Sequence, residues 1–172
     1  IADVIMGQSP EGDDCNNVGC GDPLLNGPTE FGFYSPTPVQ WTTNGKKHCA
    51  AGDLLFCVRG STTGRMNWAN QSYAIGRGLA AIHHKKDSNF NWFIKAMVDN
   101  SLNDILAAAT GSTFPNVGKE LLNGFHVIIP DEITLQKYGP QGSAIFRMIT
   151  DNAKEIDSLY ALKKTLLFKL TT

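Results

Sequence analysis

Eight residues near the C-terminus, Ile145, Ile149, Asn152, Ile156, Leu159, Lys163, Leu166 and Leu170, follow one another in alternating steps of four and three. That spacing places all eight on one narrow stripe of an α-helix, the a/d seam of a coiled coil sustained over more than three heptads. An amphipathic helix packed on its own domain is the alternative, and a seam this narrow and long favours pairing with a second long helix. Asn152 and Lys163 interrupt it; a polar residue in such a seam fixes register or partner, because burying it unpaired is costly. Gly139-Pro140 is expected to end any helix begun near Thr134, since proline lacks a donor and crowds the preceding turn. The segment 132–172 therefore reads as a helical dimerisation or spacer region. Ile145, Ile149, Asn152, Ile156, Leu159, Leu166 and Leu170 are its dimerisation residues.

Residues 1–131 read differently. Short runs at 37–42, 53–59, 79–83 and 125–129 are rich in Val, Ile, Leu, Phe and Trp and are bounded by Gly, Pro or Asn, as strands are. Residues 7–36 are dominated by turn formers and are expected to be mostly loop. Apolar spacings of three and four suggest helices over 91–100 and 102–109, and Asn116 is placed to cap a short helix after it. No βαβ rhythm is present. The fold expected is α+β: a mixed, mainly antiparallel sheet with short helices, followed by the long coiled-coil helix.

The four cysteines, Cys15, Cys20, Cys49 and Cys57, are too few for a disulfide framework in a chain of 172 residues. Cys15 and Cys20 stand at the edge of zinc-ligand spacing, but the other two offer no matching pair, so no metal site is expected. The first residues are too short and too acidic for a signal peptide, and no apolar run could span a bilayer. A reduced, cytoplasmic protein with no membrane partner is the expectation. Adjacent His83 and His84 would face opposite sides of a strand, which argues against one shared metal. His126 lies in an apolar run and reads as a core histidine.

The formal net charge of −1 conceals a segregation. Residues 1–45 hold six acids and no Lys or Arg, whereas residues 46–86 hold seven bases against Asp53 alone. Net charge near zero is thus compatible with a contiguous basic face. Within the basic segment, Arg59-Gly60-Ser61-Thr62-Thr63-Gly64-Arg65 combines two guanidiniums and three hydroxyls on a glycine-flexed turn. Guanidinium forks match guanine edges and phosphate oxygens, and hydroxyls serve either. Asn67, Asn70 and Gln71 follow, amides of the kind that pair with adenine. Arg77, between Gly76 and Gly78, is read equally as a phosphate contact or as an anchor to an internal carboxylate. Lys46 and Lys47 complete the candidate surface. Ser112 and Thr113 could offer backbone donors to a phosphate, or form a helix-capping turn packed by Phe114. Their spacing to Gly118-Lys119 excludes a nucleotide P-loop.

Six motifs then fall in a recognisable order: Met6-Gly7-Gln8-Ser9-Pro10; Asn16-Asn17 followed by Gly21-Asp22-Pro23-Leu24-Leu25-Asn26-Gly27; Gly52-Asp53-Leu54-Leu55 with Val58-Arg59-Gly60-Ser61; Ile75-Gly76-Arg77-Gly78-Leu79-Ala80-Ala81; Gly111-Ser112-Thr113-Phe114-Pro115-Asn116; and the leucine- and lysine-rich stretch from Leu159 to Leu170. Together they resemble the DNA target recognition domain of type I restriction–modification specificity subunits. Two departures stand out. A tyrosine is common after the Asn pair's usual position, whereas this chain has Cys15-Asn16-Asn17, and the basic residue and the proline of the family's terminal leucine-rich stretch become Lys163 and Phe168.

The resemblance implies a non-enzymatic module without cofactors that reads one half of a split target in double-stranded DNA. It implies docking of methyltransferase subunits through the helix, and of a restriction subunit through the assembled complex. The seam implies a second copy or a second recognition domain. Two other readings remain: a recognition domain from a single-chain restriction–methylation enzyme, and an interaction or anti-restriction protein of the same fold that reads no DNA. The basic segment argues against the last, since a decoy of DNA partners should be acidic. No GxSxG, HExxH, Gly-rich cofactor loop or amino-methyltransferase tetrapeptide occurs.

Overall fold

The computed structural model describes residues 1–111 and 114–171, without the side chain of Thr171. They fall into two compact units, residues 1–129 and the segment from Pro130 onward.

The first unit is built on two sheets. One is antiparallel throughout, in the order β1 (Ala2–Met6), β9 (Leu79–His84), β6 (Leu54–Cys57), β7 (Met66–Trp68). The other runs β2 (Cys15–Asn16), β4 (Gln40–Thr42), β3 (Asp22–Leu25), β8 (Tyr73–Ile75), β5 (His48–Cys49), and its β3/β8 pair is parallel. Two helices, α1 (Asn91–Ala107) and α2 (Lys119–Gly124), complete the unit.

β6 and β9 explain the architecture. The side chains of Leu54–Cys57 and of residues 79–82 are buried on both faces, which is why these stretches read as unbroken apolar runs. On one face Leu54, Phe56, Ala80 and Ile82 pack with Val4 and Val58 against Ile94 and Ile105 of α1 and against Val117. On the other, Leu55, Cys57, Leu79 and Ala81 pack against Leu25, Cys49, Tyr73 and Ile75 of the second sheet. The result is a helix layer, a sheet and a second sheet, the α+β arrangement the sequence implies. Asn91, fully buried at the start of α1, ties the layers: its Oδ1 accepts from the His84 N–H (2.8 Å) and its Nδ2 donates to the Gly52 carbonyl (2.7 Å).

Several local expectations are corrected. Residues 125–129 pair with no described strand; Phe125 is extended and simply packs on the core. The helices expected over 91–100 and 102–109 are one, because nothing at Ser101 interrupts the hydrogen-bond ladder. Residues 7–36 are not merely loop, since β2 and β3 lie within them. Asn116 does not cap α2, whose N-cap is Gly118; it pairs instead with Thr110 through reciprocal backbone bonds of 2.7 and 3.1 Å.

In the second unit α3 runs unbroken over Glu132–Thr171 and carries Pro140 inside it. The expected break is absent. A proline forfeits one backbone bond and strains one turn, and a helix of 40 residues keeps the rest of its ladder. Asp131 starts it by accepting from the Thr134 N–H (2.7 Å), a bond that holds its carboxyl below the usual range. The seam side chains Ile145, Ile149, Ile156, Leu159, Leu166 and Leu170 are between 42 and 82% exposed. No helix among the described residues is long and apolar enough to cross a membrane.

Candidate nucleic-acid interface

Five chain segments meet at one end of the two sheets. Gly7 donates to the Leu79 carbonyl and Gln8 to that of Ile75, both at 2.9 Å. Gly76 donates to Leu25 (2.8 Å), Ile75 to Lys47 (2.8 Å) and Val58 to Gly78 (2.9 Å). The turn between β8 and β9 is therefore laced to the ends of β1, β3 and β6 and to the start of β5. Its glycines are needed for close approach: a Cβ on Gly76 would lie 2.3 Å from Asn26 Oδ1, and one on Gly78 would lie 2.4 Å from the Asn26 carbonyl. Between them Arg77 is exposed, with its N–H donating to Ser9 Oγ at 3.2 Å.

This joint gathers most of the cationic residues singled out in the sequence. Arg59 and Arg65 flank the turn after β6, Lys46 and Lys47 precede β5, and all four are exposed, as is Arg77. Among the described residues none of the five is paired with a carboxylate, whereas Lys85, Lys95 and Lys154 are held by Asp3, Asp99 and Asp151. Arg77 thus has no internal carboxylate to anchor it. Unpaired cations on one end of a rigid scaffold form a positive field suited to a polyanion.

The hydroxyls divide. Ser61 is exposed. Thr63 Oγ1 stands 2.8 Å from the Gly60 carbonyl and 2.9 Å from that of Pro115, so its single proton is engaged in holding the turn. Thr62 Oγ1 lies 3.5 Å from Cys57 Sγ. Ser112 and Thr113 lie outside the described residues. Thr110 bridges Asn116, and Asn116 also bridges Arg59. Phe114 is 56% exposed.

The amides are not where the linear sequence suggests. Leu54 is opposite Trp68, so Asn70 and Gln71 lie beyond the far end of the β6–β7 hairpin, roughly 10–15 Å along the strands from Arg65. There Ala69 donates to the Asp53 carbonyl (3.0 Å), and Asn70 accepts from the Tyr73 hydroxyl. Asn67 is buried, its Nδ2 donating to the Gly32 carbonyl at 3.0 Å. In this conformation it is a structural clamp. Gln8, Ser9, Asn26 and Gln40 were not singled out, yet they stand at the cationic end, with Asn26 Nδ2 donating to Gln40 Oε1 (2.9 Å). The Gln8-Ser9 motif was the available signal.

Ionisable groups elsewhere are structural. Burial raises the Asp53 carboxyl above its ordinary range, against the opposing pull of the Ala50 N–H and His83. Burial pushes the Cys49 thiol up to about 12, which leaves it no thiolate near neutral pH. His48 pairs with Asp22 (2.9 Å), His84 Nδ1 accepts from the Asp87 N–H (3.1 Å), and His126 is exposed, not a core residue. Among the described residues no three His, Cys, Asp or Glu side chains come together as a metal site.

No protein-family model matches the chain. It is 31% identical, over 98% of its length, to the type I restriction enzyme MjaX specificity subunit assigned in Methanocaldococcus jannaschii. Among solved structures it is similar to the HsdS subunit from Thermoanaerobacter tengcongensis, at 27% identity over 92% of the chain and a TM-score of 0.67. It is also similar to a chain of a type I R-M system studied for complex assembly and conformational transition, at 28% identity over 96% and a TM-score of 0.66. The S subunit of a type I system from M. genitalium, at 16% identity and a TM-score of 0.60, shares the fold. The chain spans about two fifths of the length of these relatives: 40, 37, 41 and 39% respectively. Sequence motifs, curated relative and structural neighbours all lead to type I specificity subunits.

Proposed function

From that kinship we propose that this homologue of type I specificity subunits is a sequence-specific DNA-binding module that reads one half of a split target in double-stranded DNA. The observation that carries the reading is the joint where Arg59, Arg65, Arg77, Lys46 and Lys47 converge without a carboxylate partner among the described residues. Its lysines and some arginines supply phosphate contacts that position the duplex, and base contacts from the Arg59–Arg65 turn and the Gln8-Ser9 segment specify sequence. Methyl transfer and cleavage are assigned to other subunits, so the chain acts by binding alone and needs no cofactor. Its place of work is the cytoplasm.

The helix α3 supplies assembly. Its exposed seam from Ile145 to Leu170 pairs with a second helix, from a second copy or from a second recognition domain, and methyltransferase subunits dock on the pair. The restriction subunit joins through that complex.

The test is selection of random duplexes by the chain at physiological salt. Enrichment of one short motif, lost when Arg59 and Arg65 are both changed to Ala, is the expected outcome. Binding without enrichment would refute sequence reading, and no binding would refute the module altogether.

A further inference from the structure

The turn between Phe31 and Pro36 holds one large side chain that nothing covers. Phe33, at its tip, is 98% exposed, whereas Pro36 is buried and Phe31 packs on the core between the sheets. The turn is not loosely held. Phe31 bridges Pro36, Gly32 donates to the Ser35 carbonyl (3.2 Å), and Thr37 donates to that of Glu30 (2.9 Å). Three bonds from the sheets pin it: Asn67 Nδ2 to the Gly32 carbonyl (3.0 Å), Trp68 N–H to Tyr34 (3.0 Å) and Tyr73 hydroxyl to Pro36 (3.3 Å). Gly32 admits no side chain, since a Cβ there would lie 2.5 Å from the Ser35 carbonyl.

We infer that Phe33 is a wedge that enters between neighbouring base pairs of the bound duplex. The inference rests on the DNA-binding reading above. A bare ring on a pinned turn has little conformational freedom left to lose on insertion. Apolar wedges of this kind partly unstack a base step and bend the duplex, and an aromatic ring recovers stacking with the exposed base faces. The position suits that role. The turn is fastened to β7 at Asn67 and Trp68 and to β8 at Tyr73, and Arg65 precedes Asn67 by two residues, about 7 Å along the chain. The Arg65 guanidinium, on the stretch that leads into β7, is within a duplex's width of the turn and can hold phosphates near an opened step. A single ring offers roughly 150–250 Å², far short of the roughly 800 Å² per side of a stable protein interface, so a base step fits it better than a protein partner. A pyrimidine–purine step is the preferred site, because it unstacks most easily.

The probe is the duplex enriched by the wild-type chain, carrying 2-aminopurine at each position in turn. Wild type should brighten the probe at one step, as the base loses its stacking. Phe33→Ala should abolish that signal and weaken binding about tenfold or more, with an unchanged salt slope and thermal midpoint. Phe33→Trp should retain both signal and affinity. Affinity loss without a bright step in wild type would overturn insertion. Equal binding by Phe33→Ala would overturn any DNA role for the ring, and if that variant instead failed to hold the methyltransferase, the ring would be a protein contact. Absence of DNA binding by the wild type would fell the underlying reading, which is a separate result.

Discussion

Changing Lys46 and Lys47 together to Ala gives the most quantitative test of where the duplex lies. Five cations with no carboxylate partner among the described residues stand at the joint: Arg59, Arg65, Arg77, Lys46 and Lys47. If each neutralises one phosphate, counterion release gives a slope of log K against log salt of about −4.5, and affinity falls about 500-fold between roughly 50 and 200 mM salt. Removing two contacts should flatten the slope to about −2.7 and shrink the same fall to about 40-fold. The loss should be uniform across sequences, because phosphate contacts carry no base information. Fluorescence anisotropy of a labelled duplex over a salt series reads both quantities. Lys95→Ala serves as the control, since Lys95 is held by Asp99 on α1 and should leave the slope alone. A double variant with the wild-type slope would refute the argument and move the duplex off the start of β5.

Arg65→Ala should change the motif recovered by selection, with about 1–3 kcal/mol lost at one position, whereas Gln71→Ala, at the far end of the hairpin, should return the wild-type motif; the reverse pattern would put base reading at the Asp53 end. Asp53 has a folded-state pKa raised by burial, so the folded chain binds its proton more readily than the unfolded one, and its contribution to stability grows as pH falls through that raised value. Relative to Asp53→Asn, wild type should gain stability towards acid in denaturant melts, and a pH-independent difference would refute the shift. Replacing Ile149 and Ile156 with Asp should give a folded monomer that binds a two-site duplex weakly, because avidity through the helix is lost; a wild type that sediments as a monomer at tens of micromolar would sink self-association.

Much of the fold is legible because burial writes a pattern. β6 and residues 79–82 of β9 are covered on both faces and appear as continuous apolar runs. The strands that escaped notice are short or mixed: β7 and β8 have three residues each, and β1 carries Asp3 between apolar neighbours. Their pairing comes from long-range ladders that no local window contains. Residues 125–129 mislead for the opposite reason, having strand composition and no partner. At the site, residue type was legible and placement was not. Arg65 and Asn67 are two apart, yet one is exposed and the other buried as a clamp. Asn70 and Gln71 fall at the end away from Arg65 because the hairpin register, which fixes position along the sheet, is set by contacts between β6 and β7.

The charge segregation acquires a meaning once the segments are placed. The acidic stretch does not cancel the cations of residues 46–86. Glu11 and Asp13 are exposed just after the Gln8-Ser9 segment, and Asp14 is tied to the turn before Lys46 through its carbonyl on the Thr43 N–H (3.0 Å) and its carboxylate on Asn44 (2.8 Å). Thr42 pairs with Asp22, three residues along β3 from Leu25 at the joint, so Asp14 stands about 10 Å along the sheet from the cations and is not paired with them. Beyond a Debye length of about 8–10 Å the opposite charges largely compensate, so the chain as a whole attracts polyanions weakly. Within that distance the cations act alone on a phosphate seated among them, and a duplex displaced towards the acids meets like charge. A net charge of −1 thus suits a recognition module better than a large positive one. It limits adhesion to arbitrary DNA and leaves affinity to depend on a duplex that sits in register on the joint.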